Sequence, residues 1–205
     1  MEVIMALWVE EATENILKAA KEEFIEQGFI NASLRTIAVK ANTSPRSIYT
    51  RFSNKEELFS YFVEPHKEYF LNKFKEYLNR FDSQSVDEQA SSRKDESRRC
   101  LYEMTEYVYT NFDEFYLLIC CSEGTKYENF IEELAYMEAT YTIKYMQDTQ
   151  VKEMDIDHDF IHIMSRSFFD GYFEIIRHRY NLKKAKDFID RLLIFSEGGW
   201  SQFLE

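Results

Sequence analysis

Helix-breaking residues are scarce in this chain of 205 residues, which contains only five glycines and two prolines. A protein built from many short strands needs frequent tight turns, and such turns draw heavily on glycine and proline. The scarcity therefore favours long helices with few connections. Hydrophobic residues make up 45% of the chain, so it can bury a sizeable core, and its length suits one domain or a small domain joined to a larger one.

Apolar residues recur at helical spacing along most of the chain and predict an all-α fold of about nine helices. The predicted helices cover residues 13–28, 34–41, 45–52, 55–81, 98–109, 113–122, 127–147, 158–180 and 183–203. We expect Pro65 to kink the fourth helix and the polar stretch 82–97 to form a loop or a frayed helix end. The apolar run 3–9 is read as a helical lead-in or as an overlong start.

The net charge of −12 conceals one basic segment. Residues 31–55 contain no Asp or Glu and carry a charge of +5, so the rest of the chain carries −17. The five basic side chains are Arg35, Lys40, Arg46, Arg51 and Lys55. A basic face on an acidic body is the charge distribution that attracts one surface to a phosphate backbone and repels the others. A chance run of solvated charges is the competing interpretation.

Two short predicted helices in this segment are joined by a turn of four residues, as in a helix-turn-helix. Ser44 is a good N-cap residue and Pro45 suits the first helical position, where no backbone donor is needed. Ile48 and Phe52 lie on one face of the second helix and should pack inward, whereas Arg46 and Thr50 lie on the opposite face. An outer face with these side chains suits insertion into a major groove.

The segment LRTIAVKANTSPRSIYTRFSNKEEL, residues 34–58, resembles the TetR/AcrR-type transcriptional regulators. The shared pattern is an Ile-Ala pair, a small turn, an Ile-Tyr pair, an aromatic residue and Lys-Glu-x-Leu, and the resemblance covers residues 13–62. The family often has glycine where Asn42 and Arg46 stand, and histidine where Arg51 stands. Asn tolerates a left-handed turn conformation, and the two arginines add positive charge.

The helix-turn-helix predicts a set of DNA-contacting residues. Arg46 is the candidate for a guanine edge, with Ser47 and Thr50 as weaker base or phosphate contacts. The set comprises Ser33, Arg35, Thr36, Ser44, Pro45, Arg46, Ser47, Tyr49, Thr50, Arg51 and Lys55. We expect Ser33, Arg35 and Thr36 to hold the backbone, and Lys55 to bind a phosphate at the start of the fourth helix. By resemblance, Tyr49 reaches the backbone or a thymine methyl and Arg51 reaches a phosphate; Tyr49 as a core residue is the alternative.

The resemblance implies a DNA-binding domain at residues 1–60 and a ligand-sensing and dimerisation domain at residues 61–205. The last two helices carry apolar residues on adjoining stripes and are predicted to form a homodimer, with a buried helix of a monomer as the alternative. Candidate walls for a small apolar or aromatic ligand are Phe70, Phe74, Tyr77, Tyr102, Tyr109, Cys121, Phe130, Tyr136 and Met137. Ordinary core packing is the alternative, and for any single one of these residues it is the favoured interpretation.

Other classes of protein find less support in the sequence. It contains no Glu-x-x-His pair, P-loop, Gly-x-Gly-x-x-Gly or Gly-x-Ser-x-Gly, so we expect neither an enzyme nor a cofactor. His158 and His162, with Asp155, Asp157 and Asp159 nearby, are read as a polar helix start rather than a metal site.

The sequence also gives no indication of membrane insertion or of a disulfide framework. No apolar run is long enough to span a membrane, and three cysteines suggest reduced thiols in the cytoplasm. The sequence thus predicts a homodimeric DNA-binding regulator, more specifically a ligand-responsive repressor on an inverted-repeat operator. An acidic helical adaptor that binds proteins is the alternative.

Overall fold

The structure is a computed structural model that describes the backbone of residues 2–149 and 157–204 and the side chains of residues 11–149 and 157–202. Nine helices and no strand occur in this part of the chain, so the prediction of an all-α fold with about nine helices is confirmed. The helices are α1 Glu2–Asn31, α2 Leu34–Lys40, α3 Pro45–Tyr49, α4 Lys55–Asp82, α5 Val86–Thr110, α6 Phe112–Cys120, α7 Phe130–Asp148, α8 His158–Arg177 and α9 Leu182–Leu204.

The chain separates into two compact units. Unit 1 extends through Lys67 and also contains Asp113–Glu128, and unit 2 contains Glu68–Phe112 and the chain from Asn129 onward. Unit 1 therefore holds α1, α2, α3 and the start of α4 together with most of α6. The predicted functional boundary between residues 60 and 61 stays a prediction, since compactness alone does not define what each part does.

Helix α1 begins earlier than the sequence pattern indicated. Its backbone is helical from Glu2, with no glycine or proline before Gly28 to interrupt it, so the interpretation of residues 3–9 as a helical lead-in is confirmed and α1 starts before the predicted Thr13. The predicted stop is where regular geometry breaks: Gly28 has φ 70° and ψ 168°, a backbone conformation that glycine adopts without strain. Ile16, Ala20 and Phe24 form a buried stripe on the helix.

The turn between α2 and α3 is closed by local hydrogen bonds. Asn42 has φ 49°, and the Thr43 N–H donates to the Ala38 carbonyl at 2.8 Å, so the chain reverses direction directly after α2. The Ser44 hydroxyl oxygen accepts from the Ser47 N–H at 3.3 Å, and Pro45 is the first residue of α3. The predicted left-handed turn residue, N-cap and first-position proline are thus confirmed.

The start of α4 is capped as the sequence indicated, with one difference. The Asn54 side-chain oxygen accepts from the Glu57 N–H at 2.8 Å, whereas the Glu57 carboxylate accepts from the N–H of Ser53, one residue earlier, at 2.6 Å. The helix runs without interruption through Pro65 to Asp82.

The polar stretch after α4 is helical, so the predicted loop over residues 82–97 is wrong. Helix α5 begins at Val86 behind a capping box, in which the Ser85 hydroxyl accepts from the Glu88 N–H and the Glu88 carboxylate accepts from the Ser85 N–H at 2.9 Å. Ser-x-x-Glu is a sequence signature of a helix start. The capping box starts the helix even though its first half has few apolar residues. Most of the buried side chains of α5 lie in its second half, as with Leu101 and Met104.

Unit 2 is built around aromatic side chains from α4, α7 and α8. The rings of Phe70, Phe130 and Phe173 lie 5.7–5.8 Å from one another, and all three are buried. Tyr172 is also buried, and its hydroxyl shares a hydrogen bond of 3.0 Å with the hydroxyl of Thr105 on α5. Helix α9 packs against α5 and α8 and buries Ala185, Ile189 and Leu193.

Candidate nucleic-acid interface and effector cavity

Helix α3 presents a polar face to solvent because its apolar residues point inward. Ile48 and the following Phe52 are buried, as are Ile37 and Ala38 of α2. The Tyr49 side chain is 55% exposed, so its interpretation as a core residue is wrong.

The predicted DNA-contacting residues all lie on the helix-turn-helix and at the start of α4. Seven are exposed, namely Arg35, Thr36, Ser44, Pro45, Arg46, Tyr49 and Thr50. Ser33, Ser47, Arg51 and Lys55 are partly exposed. Their role in DNA binding stays a prediction, but the structure separates side chains that are available to a ligand from those that already have partners.

Three of the five basic side chains in the segment bind groups within unit 1, and two of them, Lys40 and Arg51, contact side chains of α1. Lys40 Nζ lies 3.0 Å from a Glu23 carboxylate oxygen and 2.8 Å from one of Glu26, and these hydrogen bonds raise the pKa of Lys40. Arg51 donates from Nε to the Thr13 hydroxyl at 2.7 Å and from Nη1 to the Ser47 carbonyl at 2.9 Å. Both side chains therefore brace α1 against the helix-turn-helix.

Lys55 is engaged at the carboxyl end of α1. Its Nζ donates to the carbonyl oxygens of Phe29 at 2.6 Å, Ala32 at 3.0 Å and Ile30 at 3.1 Å, which uses all three donors of an ammonium group. It also lies 4.5 Å from the centre of the Phe29 ring. Burial lowers the pKa of Lys55. The carbonyls at a helix end have no intrahelical partners and attract a cation, so Lys55 functions here as a cap for α1.

Arg35 and Arg46 differ from these three basic residues. Both are exposed, and neither forms a hydrogen bond or an ion pair with the side chains or backbone of residues 11–149 and 157–202. Arg35 stands at the start of α2 and Arg46 in the first turn of α3. The cationic groups best able to bind phosphate or a base edge are therefore at the helix-turn-helix itself.

The loop that follows α6 is bound tightly within unit 1. The Phe29 N–H donates to the Cys121 carbonyl at 2.9 Å, and Tyr127 is buried with its hydroxyl 2.9 Å from a Glu64 carboxylate oxygen. Lys126 pairs with the other oxygen of the same carboxylate at 2.9 Å, and both contacts lower the pKa of Glu64.

Unit 2 contains a cavity of about 160 Å³ between α4, α5, α7, α8 and α9. Its aromatic walls are Phe74, Tyr77, Phe81, Tyr141, Tyr145, Phe168, Phe169 and Trp200. Arg93, Ser97 and Cys100 of α5, Glu138 of α7 and Glu197 of α9 also line it. An apolar cavity with a few polar groups is the usual form of a small-molecule site.

The structure brings two of the nine predicted ligand contacts to this cavity, Phe74 and Tyr77. Phe70 and Phe130 belong to the aromatic core, Cys121 is buried in unit 1, and Tyr136 is 71% exposed. Tyr109 donates to the Tyr180 carbonyl at 2.8 Å, while Tyr102 lies beside Lys186 and Met137 is partly exposed. The sequence pattern did not predict Arg93 and Ser97 as part of this wall, because residues 82–97 were expected to form a loop or a frayed helix end despite the Ser85–Glu88 signature.

Glu138 is an acidic side chain that lines this cavity. It keeps partial accessibility where it lines the cavity, but burial raises its pKa to about 7. Its charge contributes to raising the pKa of Tyr77 and of Cys100, the latter to about 12, although burial is the main cause at both. Among the described residues, no hydrogen bond or ion pair compensates the Glu138 carboxylate.

The residues considered as a metal site are not gathered into one. Asp155 lies outside the described residues, and His162 Nε2 is 3.0 Å from a Glu132 carboxylate oxygen. The Asp157 side chain caps α8 by accepting from the N–H groups of Asp159 and Phe160. Within the described part of the chain, no three His, Cys, Asp or Glu side chains are arranged to hold a metal ion.

Apolar side chains remain uncovered on the two helices predicted to form a dimer. Ile163 on α8 and Ile194 and Phe195 on α9 are exposed, Phe195 at 83%. The opposite stripe of α9, with Ile189 and Leu193, is buried in unit 2. No helix in the described ranges is both long and apolar enough to cross a bilayer.

Residues 16–62 match the model of the bacterial regulatory proteins of the tetR family. The fold over nearly the whole chain is similar to three regulators of solved structure. A TerR/AcrR-family transcriptional regulator from Aquifex aeolicus VF5 has 21% identity and a TM-score of 0.56, and the match covers 94% of this chain and 99% of that protein. The transcriptional regulator FadR from Bacillus subtilis in complex with stearoyl-CoA has 15% identity and a TM-score of 0.56, covering 90% and 97%.

The third is NalD from Pseudomonas aeruginosa, the secondary repressor of the MexAB-OprM multidrug efflux pump, with 20% identity and a TM-score of 0.53, covering 89% and 94%. No curated protein matches the chain in sequence.

Replacing Lys55 with Met should destabilise the protein by about 1–3 kcal/mol, because three carbonyl groups at the end of α1 lose their cationic donor. Urea unfolding measures the change. Arg35→Met is the matched control, since it removes the same charge from the same segment but no internal contact within the described residues. If Arg35→Met destabilises the fold and Lys55→Met does not, Lys55 is not the cap of α1.

Replacing Glu138 with Gln should stabilise the protein above pH 7 and leave it unchanged near pH 4.5. The pKa of Glu138 is raised to about 7 in the folded state, so ionisation penalises the fold progressively from pH 4.5 to pH 7 and fully above that. Thermal unfolding at pH 4.5 and pH 8 should show a gain of roughly 1–3 kcal/mol at pH 8 alone. Glu133→Gln, on the same helix but outside the cavity lining, is the control. An equal gain at both pH values would contradict the assignment.

Proposed function

Because residues 16–62 match the model of the tetR family of bacterial regulatory proteins, we propose that the chain is a sequence-specific DNA-binding transcriptional regulator that acts in the cytoplasm. The observation that carries the proposal is the outer face of the helix-turn-helix, where Arg35 and Arg46 are exposed without partners among the described residues. Such a face combines available positive charge with hydrogen-bonding side chains, as base readout requires.

The proposed contacts divide into two classes. Arg46 reaches a base edge in the major groove and is suited to the O6 and N7 atoms of guanine, while Ser47 and Thr50 contact a base or a phosphate. Ser33, Arg35 and Thr36 hold the DNA backbone, Tyr49 reaches the backbone or a thymine methyl, and Ser44 and Pro45 contact DNA at the start of α3. Because Arg51 and Lys55 already bind groups within unit 1, their expected phosphate contacts would be secondary to their bracing of the helix-turn-helix.

The regulator acts as a homodimer on an inverted-repeat operator. Paired half-sites require a twofold arrangement of reading heads, and exposed Ile163, Ile194 and Phe195 supply apolar surface on α8 and α9 for a second copy to cover.

Regulation is by a small ligand in the cavity of unit 2, and the regulator is a repressor that the ligand releases from DNA. The cavity supports the ligand, and the names of two similar proteins, a repressor and a regulator in complex with stearoyl-CoA, support the general scheme. Helix α4 contributes residues to both units, Lys55–Lys67 to unit 1 and residues 68–82 to unit 2, so a ligand touching Phe74 or Tyr77 touches the helix that begins beside α3.

Selection of binding sites from random duplex DNA, at two salt concentrations, tests the proposal. The wild-type protein should enrich an inverted repeat, and Arg46→Ala should relax the preference at one base position in each half-site at a cost of about 1–3 kcal/mol. Arg35→Ala is the control, because loss of a backbone contact should weaken all sequences alike and lower the salt dependence.

Failure to enrich any site would favour the alternative of an acidic adaptor that binds proteins. If the wild-type protein enriches a site and Arg46→Ala shows the same base preference, the proposal of a DNA-binding regulator stands, but Arg46 does not read a base.

Substitution of Phe195 by Glu should convert the dimer to a monomer, because it places a charge in the apolar surface that a second copy would cover. Sedimentation velocity should show the change in mass while circular dichroism stays the same. Tyr136→Glu, at a residue exposed to a similar degree on α7, is the control and should leave the dimer intact. A Phe195→Glu variant that remains a dimer would show that the interface lies elsewhere.

A further inference from the structure

The cavity of unit 2 contains a carboxylate that the fold itself does not use. Glu138 lines the cavity, and no hydrogen bond or ion pair with the described residues compensates it. A desolvated carboxylate without a partner costs stability, so its presence calls for an explanation from function.

We propose that the cavity binds a small organic cation with an aromatic or apolar body, and that Glu138 is the group that pairs with its positive charge. The inference rests on the proposed function, because it names the class of ligand that the regulator senses.

The walls of the cavity suit the body and the charge of such a ligand. Aromatic rings reach it from four helices, including Tyr77, Tyr141, Phe168 and Trp200, and their faces attract a cation as well as apolar surface. Quaternary ammonium groups are commonly recognised by aromatic rings of this kind. A cation placed among them gains most when a carboxylate in the same low-dielectric surroundings offsets its charge.

The other ionisable groups of the cavity leave Glu138 as the natural counter-charge. Burial raises the pKa of Cys100 on α5 to about 12 and also raises the pKa of Tyr77 on α4 above its ordinary value, so both groups remain neutral near pH 7. The further charged or titratable liners are Arg93 on α5, Tyr141 and Tyr145 on α7 and Glu197 on α9, and α8 contributes none. The two carboxylates outnumber the one arginine.

A ligand that carries its own carboxylate or phosphate would meet repulsion at Glu138 and would have to bind at Arg93 instead. A neutral ligand would leave the carboxylate buried without a partner, or would require it to take up a proton. The cationic ligand alone turns the cost of Glu138 into a favourable interaction.

Three compact aromatic probes test the assignment: benzyltrimethylammonium, its neutral isostere neopentylbenzene, and the anion 3-phenylpropanoate. Binding to the full chain is followed by tryptophan fluorescence in a Trp8→Phe background, because Trp200 lines the cavity and is then the sole tryptophan. We expect the cation to bind at least about tenfold more tightly than either other probe. Equal or tighter binding of 3-phenylpropanoate would overturn the proposal and favour an anionic ligand at Arg93.

The variant Glu138→Gln separates the charge from the shape of the site. It should weaken binding of benzyltrimethylammonium about tenfold or more and change binding of neopentylbenzene by less than about threefold. Glu133→Gln, outside the cavity lining, should change neither. Equal losses for both probes would mean that Glu138 shapes the cavity without pairing with a charge, and this would overturn the proposal.

The pH dependence gives an independent reading. Benzyltrimethylammonium keeps its charge at every pH, so its affinity should rise by about tenfold between pH 6 and pH 8 as Glu138 ionises, and the rise should vanish in Glu138→Gln. A rise that persists in the variant would assign the effect to another group and contradict the role of Glu138.

Release of the selected DNA is measured separately from binding of the probe. A cation that binds through Glu138 without releasing DNA would support the ligand class and contradict ligand-responsive repression. DNA binding without any binding of the cation would support the regulator and overturn the proposal about Glu138.

Discussion

Helix α3 has five residues, which is too short for a helix to be stable alone in water, so its position depends on what it buries. Ile48, followed by Phe52, fills the space beside Ile37 and Ala38, and the ends of the helix are held by the Ser44 cap and the turn at Asn42. Everything proposed for DNA recognition follows from this packing. Once Ile48 points inward, the helical period places Arg46, Tyr49 and Thr50 on the outer face.

In the basic segment, the number of cations in the sequence is larger than the number available to bind a ligand. Five cations stand in the sequence between residues 31 and 55, but Lys40, Arg51 and Lys55 are bound to carboxylates, a hydroxyl group and carbonyls of unit 1. These three charges stabilise the frame that presents α3. The two arginines that remain stand on α2 and α3, so the chain uses most of its local positive charge for architecture and a smaller part for binding.

In unit 2, by contrast, the charged side chain of Glu138 has no internal partner among the described residues. Glu138 is surrounded by aromatic walls, and burial alone raises its pKa to about 7. A leucine or methionine at this position would pack more favourably, since neither carries a charge to desolvate. A residue that weakens the fold and lines a cavity is more readily explained by ligand binding than by stability.

The sequence by itself determined the fold class, the helix-turn-helix and the inward and outward faces of α3, because these depend on local spacing and capping. Ser44, Pro45 and Asn42 act through bonds to residues within a few positions, so their roles could be read directly. The Ser85–Glu88 capping box is equally local, but the first half of the helix that it starts has few apolar residues, so the apolar pattern predicted only the second half.

The tertiary structure decided which helices share a cavity and which cations are already bound. Lys55 binds carbonyls 23 to 26 residues away, and Glu138 lines the same cavity as Tyr77 and Cys100 from other helices. The periodic pattern of apolar residues along the chain does not predict contacts between residues so far apart in sequence. They arise from the packing of whole helices, which also placed Phe70 and Phe130 in the core and left Phe74 and Tyr77 at the cavity.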